Sequence, residues 1–253
     1  MSMFAEQTPV VILAGGQGTR LRPYTTTLPK PLVPVGNYPI MEILLRQLSS
    51  YGFRNITLAV GYLSGLIQAY FKDGKDFGLN LNYARETEPL GTAGPLAQLP
   101  RFDRSILVLN GDLLTKLDFR KIVRHHYSTE ATATVAMTRR NQSVDFGVIE
   151  TNDEDQIIDF KEKPELSYLV SMGIYVFTPQ VLNYIPKSTH FDFPDLLGRL
   201  LKHEQKVVGY ESDAYWMDIG RPDDYDKANE EFQAMEREFL EPHVEHETIR
   251  IAV

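Results

Sequence analysis

Short apolar runs alternate with helical patterns through the first half of the chain, and no other feature limits the possible fold as strongly. Val10–Ala14, Ile56–Val60 and Leu79–Ala84 are brief runs of strand-forming residues. Apolar residues recur at helical spacing between residues 41 and 48, and Leu63–Phe71 has the same character. Strands that alternate with helices form layered sheets, so α/β is the expected fold class.

The second half adds mainly strand patterns. Ala131–Met137 alternates in polarity, two strand-like runs surround a polar turn at residues 152–155, and Val170–Phe177 is one more strand. A helix is expected near Leu196–His203. Apolar residues then recur in steps of three and four from Tyr225 to Phe239, which predicts an amphipathic helix. Its apolar stripe packs either on the core or against a second subunit in a homodimer.

Composition narrows the class of protein. Of the 253 residues, 43% are hydrophobic, enough for one sizeable core. No repeat or linker is visible, so one domain over residues 1–240 and a C-terminal tail over residues 241–253 are predicted. The net charge of −8 argues against binding to nucleic acid or anionic membranes. There are no cysteines and no apolar run long enough to span a membrane, so a cytoplasmic protein is expected.

The first strand runs directly into a turn that contains Gly15, Gly16 and Gly18. Backbone N–H groups in such a turn can surround a phosphate group. The turn does not match the Walker pattern, because no Lys-Ser/Thr pair follows the glycines. It does not match the dinucleotide fingerprint either, because Leu21 stands where the third glycine is needed.

Two cations follow this turn. Arg20 offers a planar fork that suits phosphate oxygens, and Lys30 is a point charge presented between Pro29 and Pro31. A proline on each side restricts the backbone of this segment. Because the chain as a whole is acidic, an anionic ligand must be met by local cations such as these.

At this point the sequence resembles the sugar-1-phosphate nucleotidyltransferases. The stretch LAGGQGTRLRPYTTTLPKPLVPV is similar to the N-terminal motif of that family. Six further motifs follow in the family's order, over roughly residues 8–230: ETEPLGTAGP, LNGD, FGVIE, FKEKP, GIYVF and WMDIGRPDDY. The resemblance implies a Rossmann-like core with a mixed, mainly parallel sheet and a β-rich sugar-binding lobe. It also implies a reaction of a sugar 1-phosphate with an NTP to give an NDP-sugar and pyrophosphate.

Residue roles follow from the resemblance, position by position. Arg20 and Lys30 match the catalytic cations that contact the reacting phosphates. The sugar 1-phosphate is expected at Gly147, Glu162 and Lys163. The nucleotide is expected at Leu13, Ala14, Gly15, Gly16, Gly18, Thr19, Glu86, Gly91 and Thr92.

Two aspartates match the family's metal ligands. Asp112 follows the apolar run Ile106–Leu109, and ligands in open α/β sheets bind at the carboxyl ends of strands. Asp218 lies in WMDIG. Either residue alone would be read as a cap or a turn residue. As a matched pair they predict Mg²⁺, which takes few protein ligands and completes its shell with phosphate and water oxygens.

Glu86 is the residue in the sequence that bears on which nucleotide base the protein binds. Guanine presents N1–H and its N2 amino group side by side to a carboxylate, whereas uracil and thymine present one N3–H. With the motif EPLGTAGP, this favours GTP and a mannose or heptose 1-phosphate. The alternatives are a uridylyl- or thymidylyltransferase and a non-catalytic protein that binds NDP-sugars. A glycosyltransferase ranks last, because Asn110-Gly111-Asp112 replaces the Asp-x-Asp motif.

Several polar residues are expected to have no part in the site. His125 and His126 are predicted on a helix surface, and His243 and His246 in a solvated tail. Lys161 is predicted to be a solvated lysine. No third ligand accompanies either histidine pair in the sequence, which argues against a metal site there.

Overall fold

The computed structural model describes residues 2–241, with side chains from Phe4 onward. The predicted tail, including His243 and His246, lies outside the described residues except for Glu241. The helices are α1 Ser2–Gln7, α2 Ile40–Ser50, α3 Ser64–Phe71, α4 Phe119–Ser128, α5 Phe193–Lys202 and α6 Pro222–Leu240. The strands are β1 Val10–Ala14, β2 Pro34–Val35, β3 Tyr38–Pro39, β4 Asn55–Val60, β5 Asn80–Arg85, β6 Ile106–Asn110, β7 Leu113–Thr115, β8 Ala133–Ser143, β9 Val148–Thr151, β10 Ile157–Lys161, β11 Glu165–Phe177, β12 Val207–Glu211 and β13 Trp216–Asp218.

The predicted α/β fold with a mixed, mainly parallel sheet is confirmed. Seven strands form one sheet in the order β12-β8-β11-β6-β1-β4-β5. The pairs β1–β4, β1–β6, β4–β5 and β12–β8 are parallel, and β11 runs antiparallel to both β6 and β8. Parallel neighbours bring the carboxyl ends of β1, β4, β5 and β6 to one edge of the sheet.

The central strands are buried on both faces. In β1, Val11 packs into one hydrophobic cluster with residues of α5, and Ile12 packs into another with residues of α2 and α4. Both side chains have no exposed surface. Burial on both faces explains why these strands read as continuous apolar runs rather than as alternating ones.

The apolar stripe on α6 packs on the core, which was the first of the two alternatives for it. Phe232 and Phe239 are fully buried in a third cluster with Leu21, Val33 and Ile219. Tyr225 and Met235, at the same stripe, are half-buried.

His126 is buried, which corrects the prediction of a surface position on α4. Its Nδ1 lies 2.9 Å from Thr134 Oγ1, and its Nε2 lies 3.1 Å from Ser105 Oγ. Burial lowers the pKa of His126 to about 4, with a smaller contribution from His125. A neutral His126 therefore links α4 to the sheet through two hydroxyl groups.

The longest strands leave the sheet together. The sequence predicted that the strand beginning at Ala131 ends at Met137, but β8 continues to Ser143 and pairs with the first half of β11 down to Glu165. β12 accompanies β8 only as far as Met137, and β6 accompanies β11 only from Ile174. Residues 138–170 therefore form a two-stranded projection, which we call the arm.

The outer part of the arm is a hairpin. The predicted pair of strands around residues 152–155 is present as β9 and β10, with Phe160 opposite Ile149. The hydrogen bond from Val144 N to Pro164 O, 3.1 Å long, joins this hairpin to the end of the β8–β11 pair. Within residues 2–241, no helix is both long and apolar enough to cross a bilayer.

Candidate active site

A cavity of about 400 Å³ opens at the edge of the sheet where β1, β5 and β6 end. The glycine turn follows β1, Glu86 follows β5, and Gly111 and Asp112 follow β6. This is the edge at which open α/β sheets bind ligands. The cavity brings together twelve of the predicted residues: Leu13, Ala14, Gly15, Gly16, Gly18, Thr19, Arg20, Lys30, Glu86, Gly91, Thr92 and Asp112.

The three glycines of the turn differ in what surrounds their α-carbons. Gly18 has φ 61°, and a Cβ there would lie 2.9 Å from Thr25 Cγ2. A Cβ on Gly15 would overlap Glu86 Oε1. A Cβ on Gly16 would meet no protein atom within 4 Å. The backbone conformation therefore disfavours a side chain at position 18, a side chain at position 15 would displace the carboxylate of Glu86, and position 16 faces open space.

Asp112 and Asp218 come together through the pairing of two short strands. β13 runs antiparallel to β7 with Asp218 opposite Leu113, and Ile219 N donates to Asp112 O at 3.1 Å. The Oδ1 atoms of both aspartates are buried and have no hydrogen-bond partner among the described residues. Lys30 Nζ donates to the other oxygen of Asp112, Oδ2.

The surroundings of Asp218 disfavour its charged form. Burial raises the pKa of Asp218 to about 6, and the nearby Asp112 adds to this rise. Lys30 and Arg20 act in the opposite direction on the same pKa. A buried carboxylate oxygen without a partner costs free energy, so this pair is incomplete by itself.

The aspartate pair fits a divalent cation. Two buried carboxylate oxygens that lack a hydrogen bond are the ligand type that Mg²⁺ prefers, and Mg²⁺ needs only one or two carboxylates from the protein. Among residues 2–241, no cluster of three or more His, Cys, Asp or Glu residues could hold a metal. The remaining oxygen ligands would have to come from water or from a bound phosphate.

Arg20 and Lys30 flank this pair in different ways. The side chain of Lys30 is only 12% exposed and is fixed by its ion pair with Asp112. Arg20 lies on a short 3₁₀ turn, Thr19–Leu21, and is exposed. A Cβ atom built on Gly220 would lie 3.7 Å from the guanidinium carbon of Arg20. The guanidinium group therefore lies beside the segment that follows Asp218.

Glu86 forms one wall of the cavity. Its Oε1 lies against the Cα of Gly15, and its Oε2 accepts a hydrogen bond from Leu90 N at 3.4 Å. Burial raises the pKa of Glu86, and the bond from Leu90 partly offsets that rise. The carboxylate is therefore held in place before any ligand binds.

Gly91 and Thr92 are fixed by the N-terminus of α5. Gly91 has φ 79° and lies against Asp192, so a side chain is excluded there. Thr92 donates to Asp192 Oδ1 from its amide at 2.8 Å and from its hydroxyl at 3.0 Å. The same hydroxyl accepts from Phe193 N at 3.0 Å. Thr92 lines the cavity with its polar groups already engaged by the protein.

The three residues predicted to bind the sugar phosphate lie on the arm and do not line this cavity. Gly147, Glu162 and Lys163 are all exposed. They adjoin one another, since a Cβ on Gly147 would lie 3.4 Å from Glu162 Oε2, and Lys163 follows with φ 41°. Lys161 is solvated as predicted, and it pairs with Glu150 at 2.9 Å and Asp159 at 3.0 Å.

The structure adds lining residues that the sequence did not assign. His190 enters from the loop before α5, and its Cε1 lies 3.1 Å from the Cβ position of Gly91. Asn110 lies at the end of β6, where its amide packs against the α-carbon of Gly173. Asn110 is part of the quoted motif LNGD and could have been proposed, whereas nothing in the sequence around His190 relates it to the glycine turn.

A family model described as Nucleotidyl transferase matches residues 9–235 of this chain. The chain is 37% identical to UTP–glucose-1-phosphate uridylyltransferase of Synechocystis over 85% of its own length, and 34% identical to mannose-1-phosphate guanylyltransferase of Mycobacterium tuberculosis over 88%. It spans 61% and 64% of the length of these two relatives. It is also 35% identical to D-glycero-alpha-D-manno-heptose 1-phosphate guanylyltransferase of Aneurinibacillus thermoaerophilus, covering 88% of this chain and 97% of that protein.

Solved structures give the same result at the level of the fold. HddC from Yersinia pseudotuberculosis in complex with GMP-PN superposes with a TM-score of 0.69 at 25% identity. The alignment covers 89% of this chain and 99% of HddC.

Proposed function

The chain belongs to the nucleotidyl transferase family, and from this premise we propose that it joins a sugar 1-phosphate to an NTP with release of pyrophosphate. One observation carries the proposal. Two buried, unpartnered carboxylate oxygens lie beside two cations and an open glycine turn at the carboxyl edge of the sheet. This arrangement provides for a metal ion and a polyphosphate in one cavity.

The chemistry needs no activated side-chain nucleophile. A phosphate oxygen of the sugar 1-phosphate, largely dianionic at pH 7, attacks the α-phosphorus of the NTP. The bond from that phosphorus to the oxygen bridging to the β-phosphate breaks, and pyrophosphate leaves with the electron pair. The barrier is the approach of two anions, so catalysis rests on positioning and on neutralising charge.

The residues of the cavity divide this work. The backbone of the glycine turn is open at Gly16 and can receive phosphate oxygens. Arg20 neutralises charge that develops on the α-phosphoryl group, and Lys30, held by Asp112, keeps a second cation at the reacting centre. Asp112 and Asp218 would hold Mg²⁺, which when bound supplies positive charge to the phosphate oxygens.

The sugar 1-phosphate is assigned to the arm. Lys163 is the cation for the sugar's phosphate, Glu162 accepts from a sugar hydroxyl, and the backbone at Gly147 leaves room for the ring. These three residues adjoin one another on the arm, and none of them lines the nucleotide cavity. The two substrates would thus be held by different parts of the protein and meet between them.

GTP is the proposed nucleotide. The half-buried carboxylate of Glu86 is positioned to accept hydrogen bonds, and guanine offers two adjacent donors. The relatives from Mycobacterium tuberculosis and Aneurinibacillus thermoaerophilus carry names of guanylyltransferases. Mannose or heptose 1-phosphate is the corresponding sugar, and the family is generally cytoplasmic.

A uridylyltransferase is the second candidate. The Synechocystis relative bears the name of a uridylyltransferase. Its 37% identity to this chain is close to the identities of the two guanylyltransferases, 34% and 35%. Uracil can donate N3–H to Glu86, and it is smaller than guanine.

A matrix of substrates tests the proposal. Five NTPs are assayed against mannose, heptose, glucose and amino-sugar 1-phosphates, with and without Mg²⁺, and pyrophosphate release is measured. We expect one productive pair with GTP, dependence on Mg²⁺, and no turnover by Asp112→Asn. Turnover of UTP in place of GTP would select the second candidate. Tight binding of an NDP-sugar with no turnover of any pair would instead indicate a non-catalytic binding protein.

A further inference from the structure

The loop that follows β5 is bonded to the segment just before α5. This loop, residues 86–94, which we call the nucleotide loop, carries several of the predicted nucleotide contacts that line the cavity. Phe191 N donates to Leu90 O at 2.8 Å. The carbonyl oxygen of Phe191 accepts from Ala93 N and from Gly94 N, both at 2.9 Å. The nucleotide loop is therefore attached through its backbone to a distant part of the chain.

Asp192 adds the side-chain contacts between the two segments. Its Oδ1 accepts from Thr92 N at 2.8 Å and from Thr92 Oγ1 at 3.0 Å. The same oxygen would lie 2.8 Å from a Cβ on Gly91. Hydrogen bonds to a carboxylate are roughly twice as strong as those between neutral groups. Asp192 therefore fixes two successive residues of the nucleotide loop from outside the loop.

Capping of α5 does not account for the bonds to Thr92. Asp192 directly precedes α5, and an N-cap aspartate in this position accepts from amides of its own helix. Asp195 forms the reciprocal half of the cap, because its Oδ2 accepts from Asp192 N at 3.3 Å. Thr92, in contrast, lies 100 residues before Asp192 in the chain. The Asp192 carboxylate thus serves the nucleotide loop in addition to its own helix.

Fixing Gly91 and Thr92 fixes one wall of the nucleotide cavity. Glu86 is held in the same loop, since its Oε2 accepts from Leu90 N at 3.4 Å. A loop that is ordered before binding has less conformational freedom to lose on binding, and this increases affinity. The gain applies to the nucleotide and not to the sugar 1-phosphate, which is assigned to the arm.

We propose that Asp192 is a positioning residue for the nucleotide, which holds the nucleotide loop in the conformation that receives the base. Asp192 is not among the residues that line the cavity. It therefore acts through Gly91 and Thr92 rather than by touching the ligand. This inference rests on the proposed binding of the NTP in the cavity.

Steady-state kinetics distinguish positioning from a general loss of structure. Asp192→Ala should raise the KM for the NTP by about 10–100-fold, because two hydrogen bonds from the loop to a carboxylate are lost. The values of kcat and of the KM for sugar 1-phosphate should not change. Asp192→Asn keeps an oxygen that accepts from Thr92, so its KM for the NTP should stay within about threefold of the original value.

Asp195→Ala is the matched control, because it removes the other carboxylate of the same helix cap. It should leave kcat and both KM values unchanged. An unchanged KM for the NTP in Asp192→Ala, or an equal rise in Asp195→Ala, would overturn the proposal. A fall in kcat with no rise in the KM for the NTP would do so as well.

Amide hydrogen exchange without ligands tests the same role independently of turnover. Peptides that cover residues 86–94 should exchange faster in Asp192→Ala than in the unchanged protein, and at the unchanged rate in Asp195→Ala. Unchanged exchange in β1 and β6 establishes that the variants are folded. Equal protection of the nucleotide loop in all three proteins would refute the role of Asp192 even in an active enzyme. An unchanged protein that turns over no substrate pair would refute the proposed function, whereas the exchange result still decides whether Asp192 holds the loop.

Discussion

The nucleotide cavity and the arm use charged residues in opposite ways. In the cavity, the side chains of Lys30 and Asp112 are 12% and 23% exposed and form an ion pair. On the arm, Lys161 and Glu150 are 53% and 54% exposed and also form an ion pair. Exposed pairs contribute about 0–1 kcal/mol, whereas breaking a buried pair leaves an uncompensated charge and costs several kcal/mol.

This difference shows where the protein orders its own functional groups. Strands β1, β6 and β13 are packed into the core, and they hold the cavity's charges in place without a ligand. The arm has two strands and a solvated surface, so its charged groups are held only by exposed contacts such as the pairs of Lys161. Substitutions in the two regions should therefore differ in size and in the kinetic constant that changes.

The largest effect is expected for Arg20→Ala. Removing the cation at the developing charge should lower kcat by about 10³-fold. Steady-state pyrophosphate release measures this loss. Arg101→Ala, at an exposed arginine outside the cavity, is the control and should leave kcat unchanged. A loss below tenfold for Arg20→Ala would remove it from the reacting centre.

Lys163→Ala should act on the second substrate alone. Loss of a phosphate contact is expected to raise the KM for sugar 1-phosphate by about 100-fold, since a charged hydrogen bond contributes about 1.5–3 kcal/mol. The KM for the NTP should not change. Lys161→Ala, two residues away and already paired with two acids, should alter neither constant. Equal effects at the two lysines would contradict the assignment of the sugar phosphate.

Glu86→Gln should reduce the preference for GTP over UTP by about 10–100-fold, because the amide replaces one accepting oxygen by an NH₂ donor that faces a guanine donor. Burial raises the pKa of Glu86, and only its ionised form accepts both bonds. The KM for GTP in the unchanged protein should therefore rise as the pH falls towards that pKa. The Gln variant should show no such rise. A pH profile that is the same in both proteins would argue against contact between Glu86 and the base.

The smallest effect concerns stability. The pKa of Asp218 is raised from 3.8 to about 6 in the folded protein, so its ionisation opposes folding. Stability from this group is greatest below pH 4, is lost as the pH rises from about 4 to 6, and stays low above that. Asp218→Asn should therefore raise the free energy of unfolding by about 1–2 kcal/mol at pH 8, after a discount for its partial burial, and by little near pH 4.

Urea unfolding without metal at the two pH values measures this difference. The same variant should lose activity, which would show that the aspartate serves function at the expense of stability. Asp223→Asn on α6, at an exposed aspartate, is the control and should change stability by less than 0.5 kcal/mol. A variant that is equally stable or less stable at pH 8 would contradict a pKa of Asp218 raised by burial and by the nearby Asp112.

Much of the fold could be predicted, because local patterns and burial agree in the core. Val10–Ala14 was expected as a strand and has those bounds, since a continuous apolar run suits a strand that is buried on both faces. The lengths of β8 and β11 could not be predicted. The outer half of β8 is polar, that of β11 mixes polar and apolar residues, and both are exposed. Only the pairing of one strand with the other extends them beyond Met137 and before Val170.

The histidines separate what a local pattern can show from what it cannot. His126 follows Phe119, Ile122 and Val123 at the spacing of one helix face, so its burial on α4 could have been predicted from the sequence. Its partners Ser105 and Thr134 could not, because they come from other elements. His190 likewise reaches the cavity although the glycine turn lies far away in the chain. Contacts of this kind depend on which elements pack together, and a local pattern carries no record of that.

The sequence by itself determined the α/β class, the glycine turn after the first strand and the family, because these depend on local residue patterns and ordered motifs. Only the tertiary structure decided that Asp112 and Asp218 share one buried site with unpartnered oxygens, and that the arm leaves the sheet with its apolar residues exposed. The physical reason is that solvation and charge repulsion depend on distances between residues remote in the chain, and those distances are set when the strands pair and the helices pack.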